Sequence, residues 1–210
     1  MGDSIGPPSR SSIKVAEATN AHFLGSGIVG GVEWFVNKFG PAAAHTAVTK
    51  LSPHHRVLIQ PHATTLGILG AKRYTYPFIG DLLRAMAAAV RLEEDVFVRE
   101  FTAAGIDHTL RTVNRVILRL AANPHMVAAR AQELWNMFHT AGRITILSES
   151  KNEYLSQLSD WPDHDVTVCK MCMEARRRIV ERTGAREVEV RREKCQAWGH
   201  EVCCVRVRWR

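Results

Sequence analysis

Five cysteines carry the most distinctive chemistry of the chain, and four of them fall into two pairs. Cys169 and Cys172 form a Cys-x-x-Cys step inside a segment of helical periodicity, so one turn places both sulfurs on roughly one face. Cys195 and Cys203 flank the turn of a C-terminal hairpin pattern and can lie near each other. Cys203 shares a strand face with Val205 and Val207, the face a helix should cover. Two helical thiols above two hairpin thiols suit tetrahedral Zn²⁺, which takes thiolate readily and is closed when structural. His200 and Cys204 compete as ligands. Cys195 is out of phase with Val188 and Val190, so a bulge or strand end must turn it. Two other readings stand beside the metal. Buried thiols can act as small hydrophobes. A redox pair wants a helix N-terminus to lower the thiol pKa, and this motif lies inside its helix.

Other constellations are weaker. Gly25, Gly27 and Gly30 match G-x-G-x-x-G, but only the stub Ala21 to Leu24 precedes them and no clear acidic partner follows; close helix packing is the plainer reading. Ser148 and Ser150 lack a nucleophile-elbow context. Glu93, Glu94 and Asp95 open a helix, where acidic residues suit the dipole. No catalytic set emerges, so an enzyme is not the expectation.

The elements that must position these residues follow from periodicity. Helices are expected over Val29 to Phe39, Ala42 to Leu51, Pro77 to Leu92, Glu93 to Ala122 and Pro124 to Thr140, with Gly40-Pro41 separating the first two. Arg56 to Gln60 could be a strand. A strand begins at Arg143 and can run on to Tyr154; Asp165 to Arg182 is an amphipathic helix, and strands follow at Glu187 to Arg192 and Val202 to Trp209. Helices first and strands later mean α+β: an N-terminal helical layer on a small antiparallel sheet, with a C-terminal helix and β-hairpin.

The bulk properties fit an intracellular globular protein. The chain has 210 residues, 46% hydrophobic and 23% charged, which allows one core. Residues 1–20 read as a polar, flexible leader without a signal peptide's apolar core, and 21–210 as one domain. No stretch approaches the ~18 apolar residues of a membrane span, so a cytoplasmic location with reduced or metal-bound thiols is expected. Of the net +7, the stretch from Arg176 to Arg210 carries eleven Lys or Arg against five Asp or Glu. Such a surface can attract an acidic partner protein. Trp198 and Trp209 among arginines could stack on bases, but no nucleic-acid-binding motif is present, and nucleic acid is not the expected partner.

The run from Cys195 through Gly199 to Cys203, with Trp209 after it, resembles the end of 4-vinyl reductase domains. Leu134-Trp135, Gly142, the Cys169 helix and Gly184-Ala185 fall upstream in the matching order. The likeness spans roughly residues 21 to 209 and extends to myxobacterial-type proteins. It implies a helical layer on a small antiparallel sheet, often dimeric, shared with phenol-sensing input domains and vesicle-tethering subunits. In the sensor branch a zinc site lies beside a ligand pocket. Cys169, Cys195 and Cys203 match its spacing, while position 192 is Arg where that branch has Glu. Cys172, or otherwise Glu193, would then complete the structural zinc site. The pocket would be lined by His108, Trp135, Phe138, His139 and Tyr154, and would take a small apolar or aromatic ligand. The implied function is a sensory or regulatory module signalling through a homodimer or a partner protein. An assembly module without ligand is the alternative, ahead of a tetrapyrrole-related enzyme.

Overall fold

Gly40 and Pro41 divide the first long helix, as the sequence suggests. The structure, a computed structural model, describes residues 21–112 and 122–210. Helix α1 (Val29–Lys50) leaves helical geometry at Gly40, where φ is +79°, and Pro41 lacks the N–H needed to continue the ladder. Past a short turn of helix, α2 (Pro53–Arg56), comes α3 (Tyr76–Ala89), with Pro77 in its first turn. Helix α4 (Glu94–Thr112) opens on Glu94 and Asp95, which favour the positive end of its dipole. Helix α1 packs on both α3 and α4. Phe35, Phe78, Ile79, Leu82, Phe97 and Phe101 are buried between them. The glycine run makes this approach possible: a Cβ on Gly31 would lie 2.6 Å from the Phe101 ring. The glycines serve packing, and the dinucleotide fingerprint has no other support in the fold.

The region without clear periodicity forms a small antiparallel pair, β1 (His22–Leu24) with β2 (Arg73–Thr75). Arg56 to Gln60, read above as a possible strand, is the end of α2 and a turn. The helix expected from Pro124 to Thr140 is two short ones, α5 (Pro124–Ala129) and α6 (Ala131–Asn136). They break at Arg130, at φ −104° and ψ 14°. Asn123 caps α5 by accepting the Met126 N–H at 2.9 Å. Val113, Ile117 and Leu120, assigned to the long helical pattern, lie outside the described residues.

The second half is a four-stranded antiparallel sheet in the order β3 (Arg143–Ser150), β4 (Glu153–Ser159), β6 (Cys203–Arg208), β5 (Glu189–Lys194). The first strand does not run on to Tyr154. The chain reverses at residues 151–152, and Tyr154 belongs to β4. Register aligns Tyr154 with Val207, Ser156 with Val205 and Leu158 with Cys203, and all six are buried. Helix α7 (Val166–Arg182) lies between this sheet and α4. Its start is fixed by Asp165, whose carboxylate accepts the Thr167 and Val168 N–H groups at 2.8 and 3.1 Å. Gly184, at φ +90°, follows its end. The architecture is α+β, with the helical layer and C-terminal hairpin expected.

Candidate functional site

A cavity of about 110 Å³ opens where α4, α6, α7 and β4 meet. Its walls are mostly apolar: Phe101 and Ile106 from α4, Leu134, Trp135 and Phe138 at α6, and Ala175 and Ile179 from α7. Polar atoms enter from two sides. On one, His139 lies one turn beyond Trp135 and stacks on it, with ring centroids 3.4 Å apart and planes at 7°. The Phe23 ring meets it edge-on at 4.7 Å. Its Nδ1 shares a hydrogen bond of 3.0 Å with the Tyr76 hydroxyl. Burial, with the Arg176 charge adding to it, holds the His139 pKa well below the ordinary histidine range, so the imidazole is neutral. Trp135 is fixed in turn by donating Nε1–H to the Ala141 carbonyl at 2.8 Å.

On the other side stand Tyr154, Ser156, Cys172 and Arg176. Arg176 donates from Nη1 to Ser156 Oγ at 2.7 Å, and Ser156 donates to the Val205 carbonyl at 3.2 Å. Burial pushes the Tyr154 hydroxyl above its ordinary pKa, with Arg176 pulling the other way. Burial likewise raises the Cys172 thiol to about 12, again opposed by Arg176. These groups are neutral at physiological pH, and Arg176 supplies the charge.

Trp135, Phe138, His139 and Tyr154 thus meet around one cavity. His108 does not join them. It lies against Gly30 on a separate groove between α1 and α4, with Nδ1 3.3 Å from Glu33. Ser156 and Arg176 were missed by sequence reasoning. The available signal was spacing: Ser156 is two residues from Tyr154 on a strand, and Arg176 is four from Cys172 on a helix.

The cysteines assemble differently from the expected set. Sulfur atoms of Cys169, Cys195 and Cys203 and a ring nitrogen of His164 all lie within 4.8 Å of one another. Cys172 faces the cavity instead. Cys195 is turned inward by a register shift between Arg192 and Lys194, the bulge its phase required. Cys195 and Cys203 sulfurs are 4.0 Å apart, His164 Nε2 is 3.6 Å from Cys195, and the Gln196 N–H points at Cys203 from 3.5 Å. A hydrogen bond from Cys169 pulls the Cys203 thiol below its ordinary range, and the same bond raises Cys169. Of the competing ligands, His200 is exposed and Glu193 pairs with Arg206. Cys204 is buried, but it sits on the alternate strand face from Cys203.

With cavity and cluster in place, the fold can be set against known ones. No protein-family model matches the sequence, and no curated protein matches it. The fold is that of H-NOX domains. An Fe(II) unliganded H-NOX protein from K. algicida superposes with a TM-score of 0.67 at 10% identity, over 89% of this chain and 96% of that one. An H-NOX protein from S. oneidensis in the Fe(II)NO ligation state gives 0.64 at 13% identity, over 88% and 98%. A T. tengcongensis H-NOX mutant gives 0.57 at 11%, over 89% and 97%.

Two expectations are corrected by this. The 4-vinyl reductase assignment gives way to the H-NOX fold; its strongest motif was a short Cys–Gly–Cys run, which a hairpin turn with buried thiols explains without that family. The structural zinc gives way too. The similar structures are described by Fe(II) and heme, not zinc. The expected four-cysteine set is also not formed, because Cys172 faces the cavity and His164 stands beside the remaining three thiols in its place.

Proposed function

We propose that the chain is a small-molecule-binding sensory or regulatory module whose ligand occupies the cavity between α4, α6, α7 and β4. The carrying observation is the cavity itself, an apolar space into which a few fixed polar groups converge, which is the usual form of a ligand site. The H-NOX structures add support, since they are described with NO on Fe(II) and with heme.

Heme itself does not fit the residues present. The cavity of about 110 Å³ falls short of the roughly 300–1,000 Å³ typical of drug-sized ligands. Among the described residues, its one imidazole is His139, already stacked on Trp135 and bonded to Tyr76. The ligand is therefore smaller than a porphyrin, on the scale of one aromatic ring or a short branched chain. Output passes to a second copy or a partner protein, with the basic C-terminal strands as the proposed surface. Residues 21–210 are taken as one domain, and 1–20 as a leader. No described helix is long and apolar enough to cross a membrane.

Calorimetric titration with small aromatic and aliphatic compounds tests this reading. One compound per chain is expected to bind, and Ala175→Leu, which fills the cavity, should abolish binding without loss of folded structure. Reconstitution with hemin should leave no Soret band after gel filtration. A stoichiometric Soret band would overturn the exclusion of heme. Failure of every compound to bind would return the protein to the assembly reading.

A further inference from the structure

Arg176 is an anomaly among the arginines of α7. Arg177 pairs with Glu174 at 3.0 Å, Arg178 with Asp107 at 2.7 Å, and Arg182 with Asp107 at 2.6 Å. Arg176 alone of this run faces the apolar cavity, and among the described residues no carboxylate lies within ion-pair distance of it. The described cavity wall contains no Asp or Glu at all. One guanidinium N–H is held by Ser156, whose own proton is directed to the Val205 carbonyl. The fork is thus aimed and fixed, with most of its five donors left for something else.

A cation beside apolar walls loses hydration without gaining a counter-charge. Its charge is felt across the cavity, acting on His139, Tyr154 and Cys172 alike. A ligand that brings the missing anion gains a charge-assisted, bidentate pair, for which guanidinium and carboxylate are matched in shape. The remaining space sets the rest of the ligand. An apolar cavity of about 150 Å³ accepts benzene, so about 110 Å³ suits one ring or a short branched alkyl group.

We infer that the cavity binds a small apolar monocarboxylate, with its carboxylate on Arg176 and its hydrocarbon part among Phe101, Leu134, Trp135 and Ile179. This rests on the ligand-binding reading above and gives it a chemical class. Ser156 is a positioning residue in this arrangement, acting through the guanidinium.

The test compares benzoate with benzamide, and isovalerate with isovaleramide, by calorimetry at pH 7.5 on the full chain. Each pair has nearly one shape and differs in charge. A carboxylate should bind about tenfold or more tighter than its amide, the margin of a charge-assisted over a neutral hydrogen bond. Arg176→Gln should erase that preference while amide binding persists, and Arg176→Lys should restore part of it. Amides binding as tightly as acids, or a preference that survives Arg176→Gln, would overturn the inference and leave the cavity reading standing. Binding that survives Ala175→Leu would place the compounds elsewhere and overturn both. Should Arg176→Gln not fold, the acid-to-amide ratio of the unaltered protein decides.

Discussion

His139 shows how much one side chain can hold in this protein. Its ring closes the cavity, stacks on Trp135 and satisfies the hydroxyl of the fully buried Tyr76. The folded protein keeps the imidazole neutral, while the unfolded chain titrates near the ordinary 6.5. Below that value the unfolded state binds a proton that the folded state refuses. The folded pKa is depressed, so this contribution is fully present above about pH 6.5 and is lost as pH falls, at about 1.4 kcal/mol per unit. Thermal unfolding of the native protein should therefore weaken between pH 6.5 and 5. His139→Phe should flatten that slope, and at neutral pH should cost about 1–3 kcal/mol for the orphaned Tyr76 hydroxyl. An unchanged slope in the variant would mean that His139 is not the proton-refusing group.

At the scale of elements, α7 matters most, because it carries Cys169, Cys172 and Arg176. Its first turn depends on Asp165, which also receives Arg84 of α3 at 2.9 Å. Gly80 leaves room for that carboxylate: a Cβ there would lie 2.3 Å from its atoms. Asp165→Ala and Gly80→Ala should each destabilise by about 1–2 kcal/mol through loss of the same cap. Because they act on one contact, the double variant should cost little more than either single one. Full additivity in denaturant unfolding would sink this account. Much at this scale was legible in the sequence. The Gly40-Pro41 break, the acidic start of α4 and the alternation of β6 all rest on local signals that packing did not override. The Arg130 break and the β3–β4 reversal were not legible. The first lies between two stretches of one apolar pattern, and the second is a turn at Lys151-Asn152 without Gly or Pro.

At the scale of the molecule, the site is assembled from segments far apart in sequence, which is why it was read only in part. Trp135, Phe138, His139 and Tyr154 cluster near one another along the chain and were singled out together. Arg176 was not, because its spacing of four from Cys172 points to the cavity only once it is known which face of α7 meets β4. His108 was drawn in by residue type and by the segment it lies in, and the helix that bears it turns it toward Glu33. The metal set failed for the same reason: the two thiols of a Cys-x-x-Cys step stand about 60° apart around the helix, and here Cys169 faces the hairpin thiols while Cys172 faces the cavity. For the whole fold, a ligand at a hundred times its dissociation constant should add about 2.7 kcal/mol to stability. That should raise the melting temperature by roughly 5–10 °C for a chain of this size. Differential scanning fluorimetry with benzoate measures it, and no shift at saturation would show that the folded state does not take up the compound.

The bulge in β5 has a consequence for how the hairpin stores its information. Before it, the even-numbered Val190 and Arg192 stand opposite Val207 and Val205; after it, Lys194 stands opposite Cys204. Parity is switched by one surplus residue, so Cys195 is aimed inward by a tally and not by its own chemistry. The same residues paired regularly, without the bulge, would send Lys194 inward and Cys195 to solvent. Removing Glu193 would close the bulge and leave Lys194 opposite Cys204 and Cys195 still inward. In this stretch, the count of residues and the bulge that absorbs the surplus one form a single instruction, and the interior is kept only when both are present or both are absent.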